Sequence, residues 1–306
     1  MRAVVYDRFT DDLDALEVRE MPEPKVTPAS VLIDVRAAAV NPVDWKLMAG
    51  YLDAIMPVQF PVIPGWDVAG TVIAVGLDTP EFRVGDEVMA YARTDVVGGG
   101  TFAERVDVPV RAVAHKPASL SWEQAAALPL AGGTALRTID ALGELHARTL
   151  LIHGASGGVG SFAVQIAIAR GARVIGTASE ANHDYLRSLG ADPTTYGAGL
   201  ADRVRDLAGG PVDAVADFVG GMLSVTLDVL APDGAHASVA DSSVTENGGR
   251  HIWVRPDGEQ TARLAALAAD GTLHVEIAET FPLEGVADAF RASQSHHVRG
   301  KLVIIP

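Results

Sequence analysis

The sequence predicts an α/β protein in which a β-rich N-terminal part is followed by a doubly wound parallel sheet covered by helices. Three observations carry this prediction. Residues 1–120 contain short β-branched runs separated by proline- and glycine-containing turns. From about residue 121, strand-like and helix-like segments alternate, which is typical of βαβ units. A glycine-rich turn at 154–160 joins one such strand to one such helix.

The N-terminal runs predict a partly closed antiparallel barrel or a sandwich, because short strands recur at regular spacing. These runs are RAVVYD, SVLIDVRAAAV, DVAGTVIAVG, DEVMAYA and AERVDVP. The short strand-like runs end near Ser121. Gln124 follows this serine three residues later. This spacing is that of a capping box, so we expect a helix to start there.

The segments after Ser121 predict the order of the parallel sheet. TLLIHG (149–154) is a strand, and a helix follows it from near Val159. The further strands are ARVIGTA, VDAVADFVG and GAHASVAD, and the further helices are EANHDYLRSLG and residues 259–270. The tail then predicts a strand, a helix and the last strand GKLVIIP.

Composition excludes several classes of function. The 306 residues contain no cysteine, which excludes disulfides, zinc–thiolate sites and cysteine nucleophiles. The net charge of −15 argues against nucleic acid and anionic membranes as partners. We expect no metal site, no signal peptide and no membrane helix, and therefore a cytoplasmic protein.

The glycine turn predicts a dinucleotide site. In such a turn one glycine permits the tight bend, one admits the pyrophosphate and one allows the helix to pack on the strand. The pyrophosphate lies on the N-terminus of the helix, where free N–H groups and the helix dipole favour negative charge. The residues expected to contact it are Ala155, Ser156, Gly157, Gly158 and Val159.

The end of the second strand distinguishes the two nicotinamide dinucleotides. Ser179 stands where an acidic residue would bind the ribose of NAD, and His183 and Arg187 follow it. A small hydroxyl with basic neighbours favours the 2′-phosphate of NADPH. Glu180 argues against this interpretation, and an ordinary helix cap is the alternative role of Ser179.

With these pieces in order, the chain resembles the zinc-free quinone oxidoreductase branch of the medium-chain dehydrogenase/reductase superfamily, the branch of zeta-crystallin. The likeness spans residues 1–306. It is carried by AAAVNPVDWK (37–46), PVIPGWDVAGTVIAVG (61–76), VGDEVMA (84–90), GGTFAERV (99–106), AAALPLAGGTALRTI (125–139), the 154–160 loop, DFVGG (217–221) and GKLVI (300–304).

The resemblance implies a Rossmann domain inserted into a GroES-like β-barrel catalytic domain. The expected boundaries are 1–121 with 272–306 for the catalytic domain, and 122–271 for the NADP-binding domain. The resemblance also implies that NADPH delivers hydride to a quinone or an α,β-unsaturated carbonyl, and that the protein is a homodimer. We expect the edge strands at 234–241 or 249–256 to pair in that dimer.

The resemblance also assigns further contacts to the cofactor. Thr134 would lie beside the nicotinamide and Tyr196 near the 2′-phosphate, while Asp217 and Val219 end the strand that passes the ribose. Lys301 and Leu302 match the tail segment that closes over the nicotinamide. Zinc-dependent relatives carry cysteine and histidine–glutamate where this chain has Asn41, Trp66 and Asp67, and one carboxylate cannot hold a catalytic zinc.

Four polar residues are the catalytic candidates. Asn41 can donate its amide N–H to a substrate oxygen that gains negative charge, or it is only a turn residue before Pro42. By the resemblance, Lys46 would hydrogen-bond near the ribose or the substrate, unless it is a solvated lysine. Asp44 would orient Lys46 or a backbone group. Tyr51 could stack on a planar substrate, donate a proton, or simply pack.

The sequence therefore predicts an NADPH-dependent reductase of quinones or enones that works without a metal. The competing hypothesis is an NADPH-binding sensor or structural protein with little turnover, since a fold does not fix a function.

Overall fold

The computed structural model describes all residues from Met1 to Pro306. Its strands are β1 (Arg2–Val5), β2 (Glu17–Glu20), β3 (Ser30–Ala39), β4 (Asp67–Val75), β5 (Glu87–Tyr91), β6 (Arg105–Pro109), β7 (Val113–His115), β8 (Thr149–His153), β9 (Arg173–Thr177), β10 (Asp192–Thr194), β11 (Val212–Asp217), β12 (Leu230–Ser238), β13 (Arg250–His251), β14 (Ile277–Pro282) and β15 (Lys301–Ile305). Its helices are α1 (Pro42–Met48), α2 (Trp122–Ala127), α3 (Pro129–Ala141), α4 (Gly158–Ala169), α5 (His183–Ser188), α6 (Leu200–Ala208), α7 (Leu223–Val229), α8 (Gly258–Ala269) and α9 (Val286–Gln294).

The chain divides into two compact units. Unit 1 comprises residues 1–130, 255–270 and 275–306, and unit 2 comprises residues 131–254 and 271–274. The domain boundaries predicted after residues 121 and 271 remain a prediction. Helix α8 belongs to unit 1, where Gly258 approaches the backbone of Val113 so closely that a Cβ would overlap with the carbonyl oxygen.

Unit 1 is built on a seven-stranded sheet in the order β14-β15-β3-β4-β5-β7, with β6 paired to β3. All its pairs are antiparallel except β14 with β15. β15 pairs with the end of β3 at Val303–Ala39 and Ile304–Ala38. The expectation that the C-terminal tail completes the N-terminal β structure is confirmed, and this pairing brings residues 40 and 41 beside residues 301 and 302.

Unit 2 is a six-stranded parallel sheet in the order β10-β9-β8-β11-β12-β13. Counted along unit 2, this order is 3-2-1-4-5-6, which is the doubly wound arrangement whose ligands bind where the order reverses. That switch point lies between β8 and β11. Buried aliphatic side chains on β8, β9, β11, α6 and α7 form the core on one side of the sheet.

Two local expectations have clear outcomes. The capping box at the start of α2 is confirmed, because Gln124 N donates to Ser121 Oγ at 3.2 Å and Ser121 N donates to Gln124 Oε1 at 3.0 Å. The run 234–241 is not an edge strand, because β12 lies between β11 and the two-residue strand β13. β13, within 249–256, is the edge at that side.

No helix of the protein combines the length and the apolar character needed to cross a bilayer.

Candidate active site

The glycine turn lies at the switch point of the unit 2 sheet. β8 ends at His153, Gly154 adopts a left-handed φ of 70°, and α4 begins at Gly158. Gly154 N donates to Thr177 Oγ1 at 3.1 Å, and Gly157 N donates to Gly154 O at 3.1 Å. These bonds fix the bend between strand and helix, and the left-handed Gly154 precedes Ala155, which stands where the G-x-G-x-x-G pattern has its first glycine.

The first turn of the helix packs directly on the start of the glycine turn. A Cβ on Gly160 would overlap with the carbonyl oxygen of Gly154, so only glycine fits there. A Cβ on Gly157 would make only an ordinary 3.4 Å contact with the same oxygen. Gly160 is therefore required by packing, whereas the folded chain leaves space at Gly157.

The first turn of α4 fits an anionic group. Its N-cap is Gly157, no side chain caps the helix, and no acidic residue lies in the first turn. Backbone N–H groups of a 12-residue helix thus remain available at its positive end. Ala155 is buried, while Ser156, Gly158 and Val159 are partly exposed at the turn. This arrangement fits the pyrophosphate of a dinucleotide.

On the other side of the switch point, the Asp217 carboxylate accepts three hydrogen bonds from the following loop and the neighbouring strand. Its Oδ1 accepts from the N–H groups of Val219 at 2.9 Å and Gly220 at 3.0 Å, and its Oδ2 accepts from Ser238 Oγ at 2.9 Å. Asp217 is buried, whereas Val219 is 57% exposed. A Cβ on Gly154 would come within 2.9 Å of Val219 Cγ1. The carboxylate therefore holds the loop that faces the glycine turn.

His153 is a buried residue at this point that the sequence patterns do not single out. It is the last residue of β8 and lies opposite Asp217 in the sheet register. Neither of its ring nitrogens has a hydrogen-bond partner. Burial lowers the pKa of His153 to about 4, against the opposing effect of the Asp217 charge. The imidazole is therefore neutral at physiological pH.

The loop after β9 contains the residues predicted to distinguish the cofactors. Ser179 precedes a 3-10 turn at 180–182, and its hydroxyl accepts from Asn182 Nδ2 at 3.2 Å rather than capping the helix. His183 begins α5, and its Nε2 is buried without a partner. Glu180 is exposed, and Arg187 forms a 2.7 Å ion pair with Asp184. Ser179 and His183 therefore lie on one short loop.

The remaining cofactor candidates of unit 2 lie on different elements. Tyr196 is 57% exposed in the loop after β10, the strand next to β9. Thr134 is buried within α3, where its carbonyl oxygen accepts from Thr138 Oγ1 at 2.8 Å.

In unit 1 a buried polar network joins α1 to the C-terminal strand. Lys301 Nζ donates to Asn41 Oδ1 at 2.6 Å and to Val40 O at 2.9 Å. Asn41 Nδ2 donates to Asp67 Oδ2 at 2.9 Å and approaches Ala39 O at 3.4 Å. Both polar atoms of the Asn41 amide are thus directed to groups of the chain itself.

Two carboxylates complete this network. Asp67 Oδ1 accepts from Leu130 N at 2.8 Å, and Asp44 Oδ2 accepts from Asn41 N at 2.7 Å across the start of α1. The prediction that Asp44 orients a backbone group agrees with this bond. Asp44 Oδ1 and the hydroxyl of Tyr6 are buried without partners.

Burial dominates the electrostatics of these side chains. It raises the pKa of Asp44 to about 8, although the bond from Asn41 N acts in the opposite direction. It raises the pKa of Asp67 to about 6, and the Lys301 charge limits that rise. It lowers the pKa of Lys301, while both carboxylates oppose the shift. Because its pKa is about 8, the Asp44 carboxyl is mostly protonated at neutral pH, whereas Asp67 is the more acidic of the two buried carboxyls.

Lys46 and Tyr51 do not belong to this network. Lys46 is partly exposed, with its ammonium 5.4 Å from the ring centroid of Trp45. Tyr51 is 70% exposed, and its backbone N–H donates to Lys46 O at 3.0 Å. Leu302 is buried, and its carbonyl oxygen accepts from Val40 N at 2.9 Å. The fold therefore brings together Asn41, Asp44, Asp67 and Lys301, with Lys46 and Tyr51 outside them.

Trp66 stands beside Asp67 but offers no metal ligand. It is buried, with its ring 6.1 Å from that of Tyr91 between centroids. Nowhere in the protein do three or more His, Asp or Glu side chains come together in a group that could hold a metal ion.

Comparisons with known proteins agree with this geometry. Residues 27–118 match the family model described as alcohol dehydrogenase GroES-like domain, and residues 189–304 match that described as zinc-binding dehydrogenase. A chloroplastic quinone oxidoreductase of Triphysaria versicolor is 32% identical over 100% of this chain and 98% of its own length.

Two further proteins are similar over the whole chain. A chloroplastic protein of Arabidopsis thaliana named NADPH-dependent alkenal/one oxidoreductase is 32% identical, covering 100% of this chain and 80% of its own. The solved structure of the quinone oxidoreductase from Coxiella burnetii has a TM-score of 0.90 and 32% identity, with 100% and 99% of the two chains covered.

Proposed function

The chain belongs to the quinone oxidoreductase branch of the medium-chain dehydrogenase/reductase superfamily, and we propose that it transfers hydride from NADPH to quinones or α,β-unsaturated carbonyls. The relatives named quinone oxidoreductase and alkenal/one oxidoreductase support both acceptor classes. None of these relatives is named as a sensor or a structural protein, so the alternative hypothesis has no support.

The glycine turn at the switch point of the unit 2 sheet carries this proposal. An uncapped helix N-terminus, a backbone that leaves space at Gly157, and a parallel sheet in the order 3-2-1-4-5-6 together fit a dinucleotide. We assign the pyrophosphate to residues 155–159 and the ribose nearest the nicotinamide to the loop held by Asp217. Thr134, Lys301 and Leu302 are the proposed contacts of the nicotinamide.

NADPH is the proposed donor rather than NADH. The loop after β9 carries the partly exposed Ser179 and His183, which we assign to a 2′-phosphate, and Tyr196 lies in the neighbouring loop. Glu180 is exposed, and its carbonyl oxygen accepts from His183 N. The Arabidopsis relative whose name specifies NADPH supports the same choice.

The bound cofactor supplies the hydride, and the acceptor also takes up one proton, which gives a quinol or a saturated carbonyl. Of the four candidates, Lys46 and Tyr51 are the proposed catalytic residues. Because both polar atoms of the Asn41 amide are engaged by Asp67 and Lys301, we assign Asn41 and Asp44 a positioning role at the start of α1. Lys46 and the exposed Tyr51 follow on that helix and the turn after it, where they can contact a planar acceptor.

A direct experiment compares the two donors. Stopped-flow oxidation of NADPH and NADH is followed with 9,10-phenanthrenequinone and with a simple conjugated enone as acceptors. We expect turnover with NADPH and much slower turnover with NADH. Faster turnover with NADH would contradict the cofactor assignment but leave the reductase intact. Binding of both donors without reduction of either acceptor would contradict the proposed reaction.

We also propose that the protein is a homodimer, in which the short edge strand β13 and the half-exposed Trp253 beside it pair with a second copy. Light scattering after size exclusion measures this state. The relatives include chloroplastic and mitochondrial proteins, so the cytoplasmic location stays a prediction.

A further inference from the structure

The loop that carries Tyr196 is held by a guanidinium from the helix that follows it. Arg203, on the first turn of α6, donates from Nη1 to Ala198 O at 2.7 Å. Its Nη2 donates to Thr195 O at 2.9 Å and to Tyr196 O at 3.5 Å. One side chain thus binds three carbonyl oxygens of the loop, and none of these bonds involves the exposed Tyr196 ring.

Apart from those of the Arg203 side chain, the hydrogen bonds of this loop are backbone bonds such as that from Leu200 N to Gly197 O at 3.2 Å. Gly197 and Gly199 both adopt left-handed φ angles, 93° and 73°, and glycine is the residue with the greatest backbone freedom. A Cβ on Gly199 would meet Arg203 Nη1 at 3.2 Å and no other group within 4 Å. The guanidinium is therefore the principal side-chain contact that orders residues 195–199.

The loop lies beside the one that carries Ser179. β9 and β10 are parallel neighbours, with Thr194 opposite Thr177, and Ala178 N donates to Thr194 O at 3.0 Å. Residues 195–199 and 178–183 therefore leave the same edge of the sheet from adjacent strands. This is the edge at which doubly wound sheets bind their ligands.

Arg203 also differs from its neighbours in charge balance. Arg205 on the same helix pairs with Asp202 and Asp228, Arg173 pairs with Asp192, and Arg187 pairs with Asp184. Arg203 has only carbonyl oxygens as partners, and its Nε is buried with none. In a chain of net charge −15, this leaves a positive charge that no carboxylate neutralises at the edge where the two loops meet.

We propose that Arg203 is a positioning residue that determines the preference for NADPH over NADH. It orders the backbone that presents Tyr196, and its uncompensated charge favours the dianionic 2′-phosphate over a ribose hydroxyl. The inference rests on the proposed function, because it concerns the dinucleotide site of that function. The position of Arg203 on α6 does not by itself indicate this role.

Two fragments separate the 2′-phosphate from the rest of the cofactor. Calorimetric titration of the intact protein with adenosine 2′,5′-bisphosphate and with adenosine 5′-monophosphate gives a Kd for each. For Arg203→Met we expect the Kd of the bisphosphate to rise about tenfold or more, and that of the monophosphate to change less than about twofold. Arg203→Lys keeps the charge but loses the forked donor, so its effect should be intermediate.

Arg205→Met is the matched control, because it removes a guanidinium from the same helix that is already paired with carboxylates. The ratio of the two Kd values should stay at the wild-type value in this variant. An equal loss of both fragments in Arg203→Met and Arg203→Lys would reduce Arg203 to a structural support and overturn the inference. Unchanged binding in both variants would overturn it as well.

The outcomes also separate this inference from the proposed function. Should Arg203→Met fold poorly in a thermal melt, Arg203→Lys supplies the same ratio. Wild-type protein that binds NADPH and reduces a quinone, together with Arg203 variants of unaltered ratio, leaves the function standing and the inference refuted. Wild-type protein that binds neither NADPH nor either fragment refutes both.

Discussion

The ammonium of Lys301 donates a 2.6 Å hydrogen bond to Asn41 Oδ1, although 260 residues separate them in the chain. The amide Nδ2 of Asn41 donates in turn to Asp67 Oδ2 at 2.9 Å. By the resemblance, Asn41 and Asp67 match positions of the metal-binding pattern in zinc-dependent relatives. Here the buried Lys301 side chain belongs to the network, and its charge limits the rise in the pKa of the Asp67 carboxyl.

Lys301→Met should strongly destabilise the protein. The substitution leaves the Asp67 carboxylate buried without its counter-charge, which typically costs about 3–5 kcal/mol. Urea denaturation at pH 7.5 measures this change in the free energy of unfolding. Lys25→Met is the control, because Lys25 is exposed and its loss should change stability by less than about 0.5 kcal/mol.

Combining Lys301→Met with Asp67→Asn should recover part of that loss. With both charges removed, a flipped Asn41 amide can accept from the amide nitrogen that replaces one carboxylate oxygen, while the remaining oxygen at this position still accepts from Leu130 N. The double variant is therefore expected to be more stable than the sum of the two single changes predicts. Additivity of the single effects within about 0.5 kcal/mol would show that the two charges are not coupled.

Asp44 should make the protein less stable as the pH rises. The pKa of this buried carboxyl is about 8 in the folded protein and about 3.9 in an unfolded chain. Between these values the folded state binds the additional proton, so the free energy of unfolding falls as the pH rises from about 4 to about 8. Asp44→Asn keeps an acceptor for Asn41 N and removes this titration.

The measurement for Asp44 is the difference in unfolding free energy between wild type and Asp44→Asn at pH 5, 6, 7 and 8. The advantage of the wild type should shrink, or its deficit grow, at each step. Asp53→Asn serves as the control, because it removes an exposed carboxyl on the nearby turn. A constant difference for Asp44→Asn would mean that its carboxyl titrates normally.

Much of the fold follows from local patterns in the sequence, whereas the site depends on contacts that such patterns do not contain. The Ser121–Gln124 capping box and the strand–turn–helix at 149–169 involve residues a few positions apart, and both form as expected. The bonds from Lys301 to Asn41 and from Asn41 to Asp67 arise only when β15 pairs with β3, and no periodicity in the sequence encodes them.

Arg203 and His153 are not evident from the sequence, for different reasons. An arginine on a short amphipathic helix resembles any solvated basic residue, and nothing in LADRVRDLA separates Arg203 from Arg205. His153 ends an apolar strand, where a polar residue commonly marks the start of the following loop. Its position directly before the glycine turn was the available signal that it lies at the site.

The glycines of the turn should respond differently to alanine. In Gly160→Ala the methyl group overlaps with Gly154 O, so both stability and NADPH binding should be lost. In Gly157→Ala the methyl group fits the folded chain but occupies the approach of the pyrophosphate. We expect a melting temperature near that of the wild type and a Kd for NADPH raised about tenfold or more.

Thermal unfolding without cofactor and NADPH fluorescence titration test this pair. Gly99→Ala is the control, since a Cβ there meets nothing within 4 Å and the backbone is not left-handed. Equal NADPH affinity in Gly157→Ala and Gly99→Ala would contradict the assignment of the pyrophosphate to this turn.

Between about pH 4 and pH 6.5, His153 should change the free energy of unfolding with pH in the direction opposite to that of Asp44. Its pKa is about 4 when folded and about 6.5 in an unfolded chain, so between these values the unfolded state binds more protons. The free energy of unfolding contributed by His153 therefore decreases as the pH falls from about 6.5 to about 4. His153→Leu removes that dependence, and at pH 7.5 it should be as stable as the wild type or more so, because a polar ring without hydrogen bonds is costly to bury.

Urea denaturation of wild type and His153→Leu across pH 4.5 to 7.5 measures this effect. The curves should lie closest together at pH 7.5 and separate in acid, with the leucine variant the more stable at pH 4.5. His297→Gln is the control, because it removes an exposed imidazole. If His153→Leu instead loses stability equally at every pH, the imidazole must be making a bond that stabilises the fold. His153 would then stabilise the chain at the switch point together with Asp217.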